Sequence, residues 1–144
     1  LIDVLRNGAV AARGAMSINA VWPGLFTANT SGSGLGAAVV LRVRSTGQQV
    51  FESVNNPIDV GVAGDRVFLI LFGTGLRGRS DLNRVQVTLG GTPLTPTYVG
   101  PQGGFAGLDQ INVAVPRSLA GRGEVDLVLA VGGQVANTVR ININ

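Results

Sequence analysis

Val125-Asp126-Leu127-Val128-Leu129-Ala130-Val131-Gly132-Gly133-Gln134-Val135-Ala136-Asn137-Thr138-Val139-Arg140-Ile141-Asn142-Ile143 reads as two strands joined by a two-residue turn. The Gly-Gly pair suits a primed hairpin turn, which needs positive φ at both central positions. Val139 to Ile143 alternates large apolar residues with polar ones, the signature of a half-buried strand. The same alternation recurs at Val85-Gln86-Val87-Thr88-Leu89 and Ile111-Asn112-Val113-Ala114-Val115. Val67 to Phe72 is continuously apolar and predicts a strand buried on both faces. Asn7-Gly8 and Gly90-Gly91 are further hairpin turns, and Pro57, Pro93, Pro96, Pro101 and Pro116 punctuate the rest. The predicted strands are Ile2–Arg6, Ala9–Ile18, Gly24–Ala28, Ala37–Arg44, Gln49–Val54, Val67–Phe72, Val85–Leu89, Leu94–Val99, Gln110–Val115, Val125–Val131 and Gln134–Ile143. Short helical turns are predicted at Ser80–Arg84 and Arg117–Gly121. Many short strands with frequent turn signals define an all-β chain, a sandwich or a barrel.

The chain of 144 residues suits one domain with a small appendage. It contains no His, Cys or Lys, and all 11 basic residues are Arg. Imidazole and thiolate nucleophiles and ligands, a Schiff-base lysine and a Walker lysine are therefore excluded. The pI of about 11.0 reflects the absence of any basic group but Arg, because net charge is only +3. The first residue is Leu rather than Met, which is expected of a fragment or a cleaved product. The longest strongly apolar run is far short of the roughly 20 residues of a membrane span.

An internal repeat is visible. Slid by 125 positions, Gly8-Ala9-Val10-Ala11 falls on Gly133-Gln134-Val135-Ala136, and Ile18-Asn19 on Ile143-Asn144. Met16 coincides with Ile141. Either shared hairpin grammar or homology accounts for it. If homologous, residues 1–20 are the last two strands of another sandwich.

Gly73-Thr74-Gly75-Leu76-Arg77-Gly78 is a literal G-x-G-x-x-G after an apolar strand. A dinucleotide site needs a following helix and an acid about 20 residues on. The strand at Val85 leaves no room for the helix, and positions 92–100 hold no acid, so the motif reads as a turn. The eight acids, Asp3, Glu52, Asp59, Asp65, Asp81, Asp109, Glu124 and Asp126, form no aromatic-flanked carboxylate pair. No catalytic, cofactor or metal residue is assigned; calcium on loop carboxylates is the only metal considered. Arg77, Arg79 and Arg84 cluster loosely, and Arg42 and Arg44 share a strand face, but pairing with acids explains both better than nucleic acid does. Trp22, with Phe26 close behind, reads either as an exposed sugar platform or interface anchor or as a core plug at the junction with the N-terminal segment, and burial is the favoured reading. Asn29-Thr30-Ser31 is an N-glycosylation sequon.

Several of these segments carry a family likeness. Pro23-Gly24-Leu25-Phe26-Thr27, Phe72-Gly73-Thr74-Gly75-Leu76, Tyr98-Val99-Gly100-Pro101, Gly107-Leu108-Asp109-Gln110-Ile111-Asn112-Val113 and Asn137-Thr138-Val139 resemble the uncharacterised C-terminal domain of large secreted soil-bacterial proteins. That domain is related to the immunoglobulin-like TIG/IPT sandwiches. The resemblance covers residues 22–144, and residues 1–21 resemble the tail of a preceding domain of the same kind. It implies export and an immunoglobulin-like antiparallel β-sandwich, and it carries no active site.

The expectation is an all-β sandwich over residues 22–144 preceded by a hairpin or extended segment over residues 1–21. Its expected role is a non-enzymatic extracellular structural or adhesive module, self-associating by β-strand addition into a filament or surface array. Candidate interface residues are Ile2, Val4, Val10, Met16, Ile18, Trp22 and Phe26, and Asn29 is the candidate glycosylation site. A cell-surface glycan is a further candidate partner; nucleic acid and a membrane span are not expected. The alternative is a monomeric spacer, sorting or carbohydrate-binding domain of a large secreted protein.

Overall fold

The computed structural model describes residues 1–144. The chain is all-β, and its helical content is two 3-10 turns at Leu82–Arg84 and Arg117–Leu119. It runs β1 (Ile2–Arg6), β2 (Ala9–Gly14), β3 (Gly24–Leu25), β4 (Ala38–Val43), β5 (Gln49–Ser53), β6 (Arg66–Thr74), β7 (Val85–Leu89), β8 (Thr92–Leu94), β9 (Pro96–Pro101), β10 (Asp109–Val115), β11 (Gly123–Val131), β12 (Gln134–Val135) and β13 (Val139–Ile143). β1 and β2 form a separate two-stranded hairpin. The first sheet has the order β5-β4-β6-β10-β9, with β3 extending β6. The second has the order β12-β11-β7-β8, with β13 also on β11. All pairings between these strands are antiparallel.

The period-two pattern explains how the two sheets meet. Val67, Leu69 and Leu71 of β6, Ile111 and Val113 of β10, and Leu127 and Leu129 of β11 project inward and are at most 3% exposed. One apolar core of 25 residues joins the two sheets. The primed turns form as the Gly and Asn residues require: φ is 56° and 77° at Gly90 and Gly91, and 59° and 87° at Gly132 and Gly133.

Five expectations need correction. Val67 to Phe72 is fully buried on one face only; Phe68, Ile70 and Phe72 lie half-buried on the outer face of the first sheet. The segment 94–99 is two strands, because the chain leaves the second sheet after Leu94 and joins the first at Pro96. Ala9–Ile18 stops at Gly14, since residues 15–18 have no neighbouring strand, and Gly24–Ala28 shortens to Gly24–Leu25. Gln134–Ile143 is interrupted between Val135 and Val139.

That last interruption has a structural use. The Asn137 side chain accepts a hydrogen bond from Leu25 N at 2.8 Å and donates to Leu25 O at 2.9 Å and Gly32 O at 2.8 Å. A side-chain amide thus stands in for a strand partner and ties the closing strand of the second sheet to β3 of the first. Asn137→Ala orphans the amide of buried Leu25. It is expected to cost about 1–3 kcal/mol of unfolding free energy in a denaturant titration.

Candidate functional site: the N-terminal hairpin and its anchorage

Asn7 and Gly8 take φ of 52° and 79°, so β1 and β2 turn through a primed hairpin. The register pairs Ile2 with Gly14, Asp3 with Arg13, Val4 with Ala12, Leu5 with Val10 and Arg6 with Ala9, leaving Ala11 as a bulge. Asp3 and Arg13 form a two-point ion pair, with Arg13 Nε at 2.6 Å from Oδ1 and Nη2 at 2.8 Å from Oδ2. The guanidinium holds the Asp3 carboxyl below its ordinary range. Ile2 and Val4 therefore share one face, with the small Ala12 and Gly14 opposite them. Leu5 and Val10 lie on the ion-pair face. Residues 1–20 are all exposed, including Ile2, Val4, Val10, Met16 and Ile18. An isolated two-stranded hairpin with such surface is marginal in water.

The connection to the sandwich is tightly held. Trp22 N donates to Gly75 O at 3.1 Å, and β3 pairs Gly24 with Thr74 and Leu25 with Gly73. A Cβ at Gly73 would stand 2.4 Å from Gly24 O, one at Gly75 2.0 Å from Trp22 O, and one at Gly78 1.8 Å from Ala20 O. The G-x-G-x-x-G run is thus a track on which residues 20–24 lie, the close backbone approach that only glycine permits. Trp22 corrects the plug expectation: its side chain is 66% exposed, while Pro23 and Leu25 are the buried residues of the segment. Phe26 is also exposed, and its amide donates to Phe72 O at 3.0 Å.

Every acidic side chain and most arginines have structural partners, whereas Arg84 of the loose cluster pairs with no acid. Asp109 accepts from Leu76 N and Arg77, Asp65 from Ser45 N and Arg44, and Glu52 from Arg42. Arg140 bridges Glu124 and Asp126 at 2.6 and 3.1 Å. Asp59 accepts from Gly61 N, and Asp81 caps the first 3-10 turn through Asn83 N. Arg79 donates to the carbonyls of Leu76 and Val99. Arg42 is only 3% exposed and binds both Glu52 oxygens and Asp59 O, leaving Nη1 without a protein partner. Its hydrogen bond to Glu52 raises its already high pKa. No three acidic side chains converge in a way that would hold a metal ion. Asn29 lies on an exposed turn, its Oδ1 accepting from Ser31 N and Oγ.

One surface feature was not read from the sequence. Leu41 pairs across to Phe51 on one side and Phe68 on the other, and Val39 to Ile70. These residues line the outer face of the first sheet, where Phe51 is 65% exposed. The outer face of the second sheet instead carries the Arg140 ion pairs. Of the sheet edges, β8 and β9 are blunted by Pro93, Pro96 and Pro101. β13 is capped by Gly34, Gly36 and Ile58 through backbone hydrogen bonds of 2.7–3.0 Å. β5 has no proline and leads onto the apolar face through Phe51. An open, uncharged cleft of about 600 Å³ lies where the chain changes sheets, between Leu82, Val85, Pro93, Leu94 and Pro96.

The molecule is an antiparallel β-sandwich with an appended hairpin. No family model, curated protein or solved structure matches it. No helix is long and apolar enough to cross a membrane.

Proposed function

We propose that this chain is a non-enzymatic, extracellular structural or adhesive module of immunoglobulin-like type, joined to neighbouring sandwiches by β-strand addition into a filament or surface array. The observation that carries the reading is the hairpin: two paired strands with apolar side chains in water, held out from the body by an anchored linker. The apolar outer face of the first sheet and the unblunted β5 edge supply surfaces that a neighbour covers. Secretion rests on the resemblance of residues 22–144 to domains of exported proteins.

Light scattering tests the reading. The full chain is expected to associate with rising concentration, and the chain lacking residues 1–20 to remain a single folded species. Ile2→Asp with Val4→Asp is expected to reproduce the deletion. A full-length chain that stays monomeric at every concentration overturns self-association in favour of a spacer.

A further inference from the structure

The two hairpins of this molecule share one register. Add 125 to each residue number, and three of the five pairs of the N-terminal hairpin fall on pairs of the closing hairpin, on either side of the break at 136–138. Arg6 opposite Ala9 becomes Val131 opposite Gln134, Leu5 opposite Val10 becomes Ala130 opposite Val135, and Ile2 opposite Gly14 becomes Leu127 opposite Val139. Both turns have positive φ at both central residues. Both second strands carry one extra residue after the turn: Ala11 in the first, and three residues, 136–138, facing two, 128–129, in the other. Ala136, the counterpart of Ala11, donates its amide to Leu129 O at 2.9 Å. Turn type, register and bulge thus coincide without a gap.

The burial pattern gives this coincidence a meaning. The counterparts of Ile2, Val4, Met16 and Ile18 are Leu127, Leu129, Ile141 and Ile143, each at most 1% exposed in the core. The counterpart of Val10 is Val135, which is exposed. We propose that residues 2–18 are the closing hairpin of a second sandwich of this architecture, one that lacks a closing hairpin of its own. An intact copy is not that partner, because its site is filled by Val139, Ile141 and Ile143, which bury more apolar surface than Gly14, Met16 and Ile18.

Three departures describe the partner. Ala12 stands at the place of Asn137, so the partner satisfies its own counterpart of the Leu25 amide without that side chain. Gly14 stands at the place of Val139, whose Cγ2 would lie 2.9 Å from a Cβ on Gly36. The partner therefore has room for a side chain at the place of Gly36. Arg6 stands at the place of buried Val131, so the partner offers a polar or acidic group, or an open rim, there. The inference goes beyond the self-association proposed above and survives its failure, since it names a partner that intact copies are not.

The test is a graft on this chain, in which residues 127–144 are replaced by residues 2–19 carrying Arg6→Val, Ala12→Asn and Gly14→Val, so that the contacts of Asn137 with Leu25 and Gly32 are kept. The matched graft is expected to keep a cooperative thermal transition. The same graft with one glycine inserted before Ile2 is expected to lose it, because a one-residue slip turns every side chain to the opposite face. Within the matched graft, Ile18→Asp is expected to abolish the transition and Val10→Asp to preserve it. At their natural positions in the full chain both substitutions leave melting unchanged, since both side chains are exposed there. A matched graft that melts no better than the slipped one, or equal effects of the two aspartates within it, overturns the proposal. Neither readout depends on whether intact chains associate.

Discussion

Asp109→Ala is expected to lower the unfolding free energy by about 2–4 kcal/mol, the largest loss from removing any one polar side chain. The carboxylate is 2% exposed and accepts from Leu76 N at 3.0 Å and from Arg77 Nε. Leu76 is itself fully buried, so its amide has no water to turn to when the carboxylate goes. An orphaned buried amide costs about 1–3 kcal/mol. Arg77 is 45% exposed and rehydrates, which keeps the total below that of breaking a fully buried pair. Asp109→Asn keeps an acceptor for Leu76 N and is expected to cost roughly half as much. Urea titration at neutral pH, with the slope unchanged, checks both variants. A loss below about 1 kcal/mol for the alanine means that the carboxylate is not what fixes the segment after β6.

The sandwich was legible because its information is local. Val85–Leu89 alternates cleanly, and its observed limits match those read from the residues. The three primed turns were announced by Asn-Gly and Gly-Gly pairs, whose φ values leave few alternatives. What escaped depends on contacts distant in sequence. The neighbours of Asp109 give no hint of an amide donor 33 residues away. Asn137 reaches Leu25 across 112 residues, a contact that no local pattern foretells. The G-x-G-x-x-G run reads locally as a turn, but its glycines answer to a linker that no local pattern reveals. Trp22 was placed inside because tryptophan is usually well buried, whereas here the backbone is gripped and the ring is left out. The apolar outer face was hidden for a related reason. A continuous apolar run suits a strand covered on both sides, and nothing in Val67 to Phe72 says that the second cover is absent.

Gly75→Val is expected to be nearly as damaging, at about 2–4 kcal/mol, for two separable reasons. Gly75 has φ of 77°, and a side chain in the left-handed region costs about 1–2 kcal/mol. Its Cβ would also stand 2.0 Å from Trp22 O, so the linker cannot stay where it is. Lifting it breaks the Trp22 N to Gly75 O hydrogen bond and uncovers Pro23. Two controls divide these causes. Gly8→Ala adds a Cβ at φ of 79° with nothing within 4 Å, so it carries the strain alone and weakens only the hairpin. Gly78→Ala has ordinary φ but places its Cβ 1.8 Å from Ala20 O, so it carries the collision alone. Amide hydrogen exchange at Trp22 reads the linker directly. Exchange there is expected to accelerate strongly in the Gly75 and Gly78 variants and to stay unchanged in the Gly8 variant. Unchanged protection in Gly78→Ala would mean that residues 20–24 are not held by the glycine track, and that the hairpin leaves the sandwich on a free tether.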